Sequence, residues 1–259
     1  MKTINIIGAG NVAYYFGYSL HEAGFDVKCI CNRTIEKANE LAEICGSMAT
    51  DDIIALPKTD LTILAVSDDY ISVVADEILR VHRNSLPIIH TSGSLTLDVF
   101  HKDMSLFGSI WPLQSILKGE NPRRMDVPLC VDANTKSFLD ELLVVSKSIS
   151  DKVIHLPSDK KKYAHVAAVI SNNFTNHLLT LAESYCRDHD IPFEILKPLV
   201  IESIQKIENQ SPLDIQTGPG RRKDLKTIKG HLKLIENKKL RKIYKLITKS
   251  IIKTYHENS

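Results

Sequence analysis

The sequence predicts an α/β fold in which an N-terminal, doubly wound, mostly parallel sheet is followed by an all-helical domain. Three observations predict it. Through the first 156 residues, short apolar runs of strand length alternate with segments of helical period, the pattern of a parallel sheet covered by helices. From Ser158 onward the period changes to 3.6 residues and stays there. The first strand-like run ends in the glycine-rich turn Gly8-Ala9-Gly10, which leads directly into a helix-like segment. The boundary is placed near residue 157, giving domains 1–156 and 157–259.

Each element follows from local pattern. Thr3 to Ile7 is a short apolar strand ending at Gly8, and Asn11 to Ala23 sets Val12, Phe16, Leu20 and Ala23 on one helical face, with Gly24 at the C-terminal cap position. Phe25 to Cys31 reads as the second strand, Ile35 to Ile44 as a helix led by Thr34, and Leu61 to Val66 as a central strand. Asp68 or Asp69 is expected to cap a helix over Tyr70 to Val81, whose acidic start suits the helix dipole. Pro87 to His90 resumes the sheet and runs into the turn Thr91-Ser92-Gly93-Ser94, at the carboxyl end of a strand, where ligands of open α/β sheets bind. Leu106 to Trp111, Leu129 to Asp132 and Lys152 to Leu156 are later strands, with a helix between Lys136 and Ile149. Helices then cover 158–189, 193–209, 224–236 and 238–255, interrupted at Pro192, Ser211-Pro212 and Gly218-Pro219-Gly220.

Gly8-Ala9-Gly10-Asn11-Val12-Ala13 fits G-x-G-x-x-G/A in the setting that gives the pattern meaning, with strand before and helix after. Gly8 permits the tight turn, Gly10 lets backbone approach a pyrophosphate, and the small Ala13 lets helix pack on strand. The amides of the helix start supply an anion site. This is a Rossmann-type dinucleotide fingerprint. At the end of the second strand, where a carboxylate would accept the ribose hydroxyls of NAD, the sequence is Asn32-Arg33-Thr34. A guanidinium flanked by amide and hydroxyl is a phosphate clamp, so NADP is the expected cofactor; the competing reading of Arg33 is an ordinary surface cation.

Composition narrows the class. The 259 residues are 43% hydrophobic and 25% charged, an ordinary globular balance, and no apolar run approaches the roughly 18 residues that span a bilayer. The N-terminus passes straight into a strand without signal-peptide layout, so the expectation is a cytoplasmic protein without membrane association. Five cysteines without a C-x-x-C pair argue against disulfides and zinc, and ten histidines without ligand spacing give no reason to propose a metal. Net charge is −6 over residues 1–156 and +8 over 157–259. The basic excess lies singly along amphipathic stretches such as Lys238 to Lys253, where solvated faces, an anionic substrate or an acidic partner would each account for it. No basic patch is interleaved with aromatics, which disfavours nucleic acid.

The long helix after Lys160 carries His165, Asn172, Asn173, Asn176 and His177 in an apolar background. Residues 165, 172 and 176 are seven and four apart, hence on one stripe of a regular helix, with Asn173 beside it. Asparagine is unfavourable inside helices, so the set needs a reason: a cleft wall facing the nicotinamide, or buried hydrogen bonding to a neighbouring helix or a dimer mate. Gln216-Thr217-Gly218-Pro219-Gly220-Arg221-Arg222-Lys223-Asp224 is either a close approach to an anionic ligand or a plain loop between helices.

Through GAGNVA at 8–13, NRT at 32–34, AVSDD at 65–69, HTSGS at 90–94, WPLQS at 111–115, HVAAVISNNFTNHL at 165–178 and QTGPGRRKD at 216–224, the chain resembles a bacterial family of uncharacterised proteins. That family joins a Rossmann-like domain to a helical domain of unknown function. The chain is more distantly similar to pyrroline-5-carboxylate reductase, the β-hydroxyacid dehydrogenases and prephenate dehydrogenase, with a helical part like the C-terminal domain of 6-phosphogluconate dehydrogenase. The resemblance implies NADP or NAD across the strand ends, with Gly8, Gly10, Asn11, Val12 and Arg33 at the cofactor and Val66 and Ser67 on its nicotinamide side; Asn32, Thr34 and Asp68 complete the expected cofactor residues. It also implies a helical domain that is often the dimer interface, so a homodimer is expected. The hydroxyacid dehydrogenases carry K-x-x-N-N on their long helix. Asn172-Asn173 match, but Val169 stands where the acid/base lysine would be, leaving His165, one turn earlier, as the nearest replacement for acid/base work. Two functions follow as expectations. In one, NADPH reduces a C=O or C=N group of a small, in one reading anionic, metabolite, with His165 as proton donor and Ser92, Asn172, Asn173 and Thr217 orienting the substrate. In the other, the chain is an NADP-binding regulatory or scaffold protein without turnover.

Overall fold

A computed structural model describes residues 1–83, 86–117 and 126–256. The chain forms two compact units, Met1–Ser171 and Asn172–Ser259.

The first unit is built on one eight-stranded sheet. Strands β1 (Thr3–Ile7), β2 (Asp26–Cys31), β3 (Met48–Thr50), β4 (Leu61–Leu64), β5 (Ile88–His90), β6 (Phe107–Pro112), β7 (Leu129–Ala133) and β8 (Val153–His155) lie in the order 3-2-1-4-5-6-7-8. Every neighbouring pair is parallel except β6 with β7, in agreement with the expected mostly parallel sheet. The order reverses at β1, whose neighbours are β2 and β4, so a topological switch point lies beyond the ends of β1 and β4.

Helices α1 (Asn11–Glu22), α2 (Ile35–Cys45) and α4 (Lys136–Lys147) cover one face, with Phe16, Leu20, Leu41, Phe138 and Leu142 buried beneath them. The opposite face is covered by α3 (Asp68–His82), through Ile71, Ala75 and Ile78, together with Phe100 and Met104. Burying each such large side chain contributes about 1.5–3 kcal/mol, and the continuous apolar runs of the central strands are what a sheet covered on both faces requires. All five cysteines are buried and unpaired. Burial pushes the Cys29 thiol to about 11 and the Cys31 thiol to about 12, which keeps both as inert core groups.

Two local expectations are corrected, and one short strand is added. The short edge strand β3 was not predicted, because three residues are too few to show a period. Helix α3 begins at Asp68 with Ser67 at its N-cap, so neither aspartate is the cap. The long helix is not continuous: α5 (Ser158–Ala168) passes into a π-helical stretch, Val169–Phe174, before α6 (Thr175–Asp188). The wider turn interrupts the constant period on which the stripe of His165, Asn172 and Asn176 depended. The two compact units part inside this stretch, and α5 is tied to the sheet. Asp132 of β7 accepts from the Ser158 amide at 2.8 Å and its hydroxyl at 2.7 Å, and Lys161 is buried beside β6.

The second unit contains α6, a 3-10 turn at Phe193–Leu196, α7 (Lys197–Ile207), α8 (Pro212–Ile215), α9 (Leu225–Leu234) and α10 (Lys238–His256). Its only buried hydrophobic residues are Cys186, Ile228 and Ile235 among those described. Large apolar side chains stand exposed along it, including Phe174 at 57%, Leu199 at 62% and Leu246 at 71%. No helix is long and apolar enough to cross a membrane among the described residues.

Candidate dinucleotide and substrate site

The glycine turn works as the fingerprint requires. Gly8 has φ +118°, and a Cβ there would lie 2.2 Å from the Ala65 carbonyl oxygen, so only glycine fits. Its amide donates to Cys31 O at 2.8 Å, which fastens the turn to the end of β2. Gly10 is the N-cap of α1, and the space where its Cβ would stand is open to 4 Å. Ala13 is fully buried against the strand.

These glycines floor a cleft of about 420 Å³ beyond the ends of β1, β2 and β4. On the β2 side it is lined by Asn32, Arg33 and Lys37, and on the β4 side by Ala65, Val66 and Ser67. The Arg33 guanidinium lies over the Tyr70 ring at 4.5 Å, a cation–π contact that holds it at the rim, and the Asn32 amide donates to Thr34 O at 2.9 Å. Lys37 is a second cation in the first turn of α2; sequence alone does not bring it to the cleft, because it lies beyond the Asn32-Arg33-Thr34 turn. Asp51, just past β3, is a carboxylate in the same lining and was missed with that strand. Asn11, Val12, Thr34 and Asp68 flank the cleft without lining it.

Next to the cleft lies the turn after β5. The Thr91 hydroxyl donates to Leu64 O at 3.2 Å, and the Ser92 amide donates to Nδ1 of the fully buried His90 at 3.1 Å. Burial, reinforced by the neighbouring Lys161 charge, pulls His90 down to about 3, so it is a neutral acceptor. Ser92 Oγ accepts from the amides of Ser94 and Leu95, each at 3.2 Å. The Ser94 hydroxyl donates in turn to Asp68, which joins this turn to the start of α3. Gly93 lies against Trp111, whose ring would be 2.5 Å from a Cβ at that position. The His165 ring meets the same indole edge-on, with ring centroids 5.7 Å apart. Thus Ser92 and His165 belong to one neighbourhood, with Trp111 as the shared neighbour.

Lys161 completes that neighbourhood, and sequence reasoning missed it. It is 1% exposed, and its Nζ donates to Ser92 O at 3.2 Å and to Ser109 Oγ at 3.4 Å. Desolvation lowers it from 10.5 to about 8, against the opposing pull of Asp132 and Asp68.

The remaining predicted residues lie in the second unit. Asn172 and Asn173 are exposed in the π-helical stretch, and Asn176 and His177 are exposed at the start of α6. Thr217 is exposed in its loop. That loop is packed on α10: Arg221 lies over the Tyr255 ring at 4.2 Å, His256 Nε2 is 2.9 Å from Arg221 O, and Gly220 backs onto Ile251.

Comparison with known proteins agrees with this geometry. Residues 3–92 match the family model described as NADP oxidoreductase, coenzyme F420-dependent, and residues 127–251 match a domain of unknown function, DUF2520. A candidate NADP oxidoreductase from Bacteroides fragilis is 28% identical over 97% of this chain and 98% of its own, with a TM-score of 0.88. A Thermotoga maritima protein is 24% identical over 97% and 98%, with a TM-score of 0.73. A pyrroline-5-carboxylate reductase from Coxiella burnetii, 18% identical over 99% and 98%, has the same fold with a TM-score of 0.62. No curated protein matches the chain in sequence. The N-terminal fold is similar to that of NADP oxidoreductases.

Proposed function

We propose that this chain is an NADP-dependent oxidoreductase that reduces a C=O or C=N group of a small metabolite. The observation that carries the reading is the cleft at the β1/β4 switch point, floored by Gly8 and Gly10 and lined by Arg33 and Lys37. The residues fit the cofactor. The Gly8 turn admits no side chain, Gly10 leaves open space at a helix N-terminus, and the α1 amides would hold the pyrophosphate. Arg33 and Lys37 outnumber Asp51 in the lining, which supports a 2′-phosphate over a bare ribose. Because β2 and β4 flank β1, Val66 and Ser67 border the opposite, nicotinamide end.

When bound, NADPH supplies a hydride to the carbon of the double bond. The oxygen or nitrogen left behind gains negative charge and takes a proton, for which His165, beside Trp111, is the donor. Ser92 borders the same neighbourhood, and Asn172, Asn173 and Thr217 are proposed to orient the substrate. An anionic substrate suits the net +8 of residues 157–259. The exposed apolar residues of the second unit support a homodimer as the working form.

Calorimetry with NADPH and NADH tests the reading. Wild type is expected to prefer NADPH, and Arg33→Ala to lose about 1.5–3 kcal/mol, roughly ten- to a hundredfold, for NADPH alone. Equal affinities of the wild type for the two dinucleotides would remove the NADP assignment.

A further inference from the structure

Lys161 sits between two exposed lysines, Lys160 and Lys162, in the first turns of α5, yet it alone turns inward and is buried. Burying an ammonium is unfavourable unless it is paired. Here its direct partners are neutral, the Ser92 carbonyl and the Ser109 hydroxyl, and no described carboxylate lies within salt-bridge distance. Asp132 of β7 and Asp68 of α3 act on it through space, Cys130 of β7 and His90 of β5 are the other titratable groups near it, and His165 follows one turn later. Two neutral acceptors are weak compensation for a buried charge. A charge kept in such a place has another use, and the contacts indicate which one. Lys161 holds the Ser92 carbonyl, the Ser92 hydroxyl accepts from the Ser94 amide, the Ser94 hydroxyl donates to Asp68, and Asp68 adjoins Ser67 in the wall of the dinucleotide cleft.

We propose that Lys161 is the positioning residue of the Ser92–Ser94 turn, its buried ammonium drawing the turn down onto β6 and so holding it at the nicotinamide end of the cleft. The proposal rests on the reading of that cleft as an NADP site. Lys161 itself is too buried to touch a substrate and acts through Ser92 and Ser94. Since the lysine is lowered to about 8, the pin weakens as the ammonium is lost above that pH.

The full-length chain and its Lys161→Met variant test this with two ligands: NADPH, and 2′-phospho-ADP-ribose, which lacks the nicotinamide. Trp111 is the sole tryptophan and lies against Gly93, so its emission reports the turn directly. Lys161→Met is expected to bind NADPH about tenfold more weakly, to bind the fragment as wild type does, and to shift Trp111 emission. Raising the pH through about 8 should weaken NADPH binding in the wild type and leave the variant's unchanged. Ser109→Ala, which removes one acceptor without touching the lysine, should move NADPH binding in the same direction by less. Equal loss of both ligands in Lys161→Met, or unchanged binding and emission, overturns the positioning role. A wild type that binds neither ligand removes the cofactor reading instead; the pin is then judged by Trp111 emission, which must differ between wild type and Lys161→Met and titrate near pH 8 only in the former.

Discussion

Replacing Lys161 by methionine should change how stability depends on pH, and the sign is opposite to that of an ordinary salt bridge. The ammonium is lowered from 10.5 to about 8 by burial. Between those values the unfolded chain holds the proton and the folded chain does not, so the free energy of unfolding of the wild type rises with pH across that window. At about 1.4 kcal/mol for each pH unit, the gap corresponds to about 3 kcal/mol of stability withheld below pH 8 and recovered by about pH 10.5. Lys161→Met does not carry this cost. It leaves the buried Ser92 carbonyl without its donor, a loss of about 1–3 kcal/mol, so at pH 7 the two opposing effects nearly cancel and the variant should melt close to the wild type. As pH rises from 8 to 10.5, wild type should gain on the variant by about 3 kcal/mol. Urea unfolding of both proteins at pH 7, 8.5 and 10 measures the difference. A difference that stays constant across that range, or that runs in the variant's favour as pH rises, would refute the reasoning.

Gly93→Ala pushes a methyl to 2.5 Å from the Trp111 ring, and it should cost about 1–3 kcal/mol by thermal melts while shifting Trp111 emission. A variant with wild-type stability would mean that the turn is free to move. His165→Asn should lower turnover by about 10²- to 10⁴-fold with NADPH affinity nearly unchanged; a loss of thermal stability without a selective rate effect would make it a structural histidine. Light scattering at high micromolar concentration should report about twice the 29.1 kDa chain mass, with Leu199→Asp or Leu246→Asp shifting the mass toward the monomer. A monomer in the wild type would leave the exposed apolar residues of the second unit without their proposed partner.

Most of the first unit could be read from sequence because its devices are local. A strand closed by Gly8, a helix opened at Asn11 and a second strand ending at Cys31, just before Arg33, mark out the candidate cleft with no tertiary information. What escaped the reading depends on tertiary placement. Lys161 lies in a run of three lysines that reads as a solvated helix start. The only signal was its spacing of three, four and seven from the half-buried Ala164, His165 and Ala168, which puts it on the face turned to the sheet. Asp51 was hidden by a strand of three residues, and Lys37 by its place beyond the Asn32-Arg33-Thr34 turn. No composition rule marks the π-helical stretch at Val169–Phe174, so an even helical period was carried across it and joined His165 to Asn172 on one stripe.

A crystal structure with NADPH bound tests the account most directly. The pyrophosphate should lie on the amides at the start of α1 beyond Gly8 and Gly10, with the 2′-phosphate between Arg33 and Lys37 and the nicotinamide beside Ser67 and the Ser92–Ser94 turn. The nicotinamide C4 and the His165 ring should then face one open space of substrate size. A dinucleotide bound elsewhere would contradict the reductase reading as a whole. A His165 ring more than about 10 Å from C4, with protein packed between them, would contradict its role as proton donor, since donation needs contact or one bridging water.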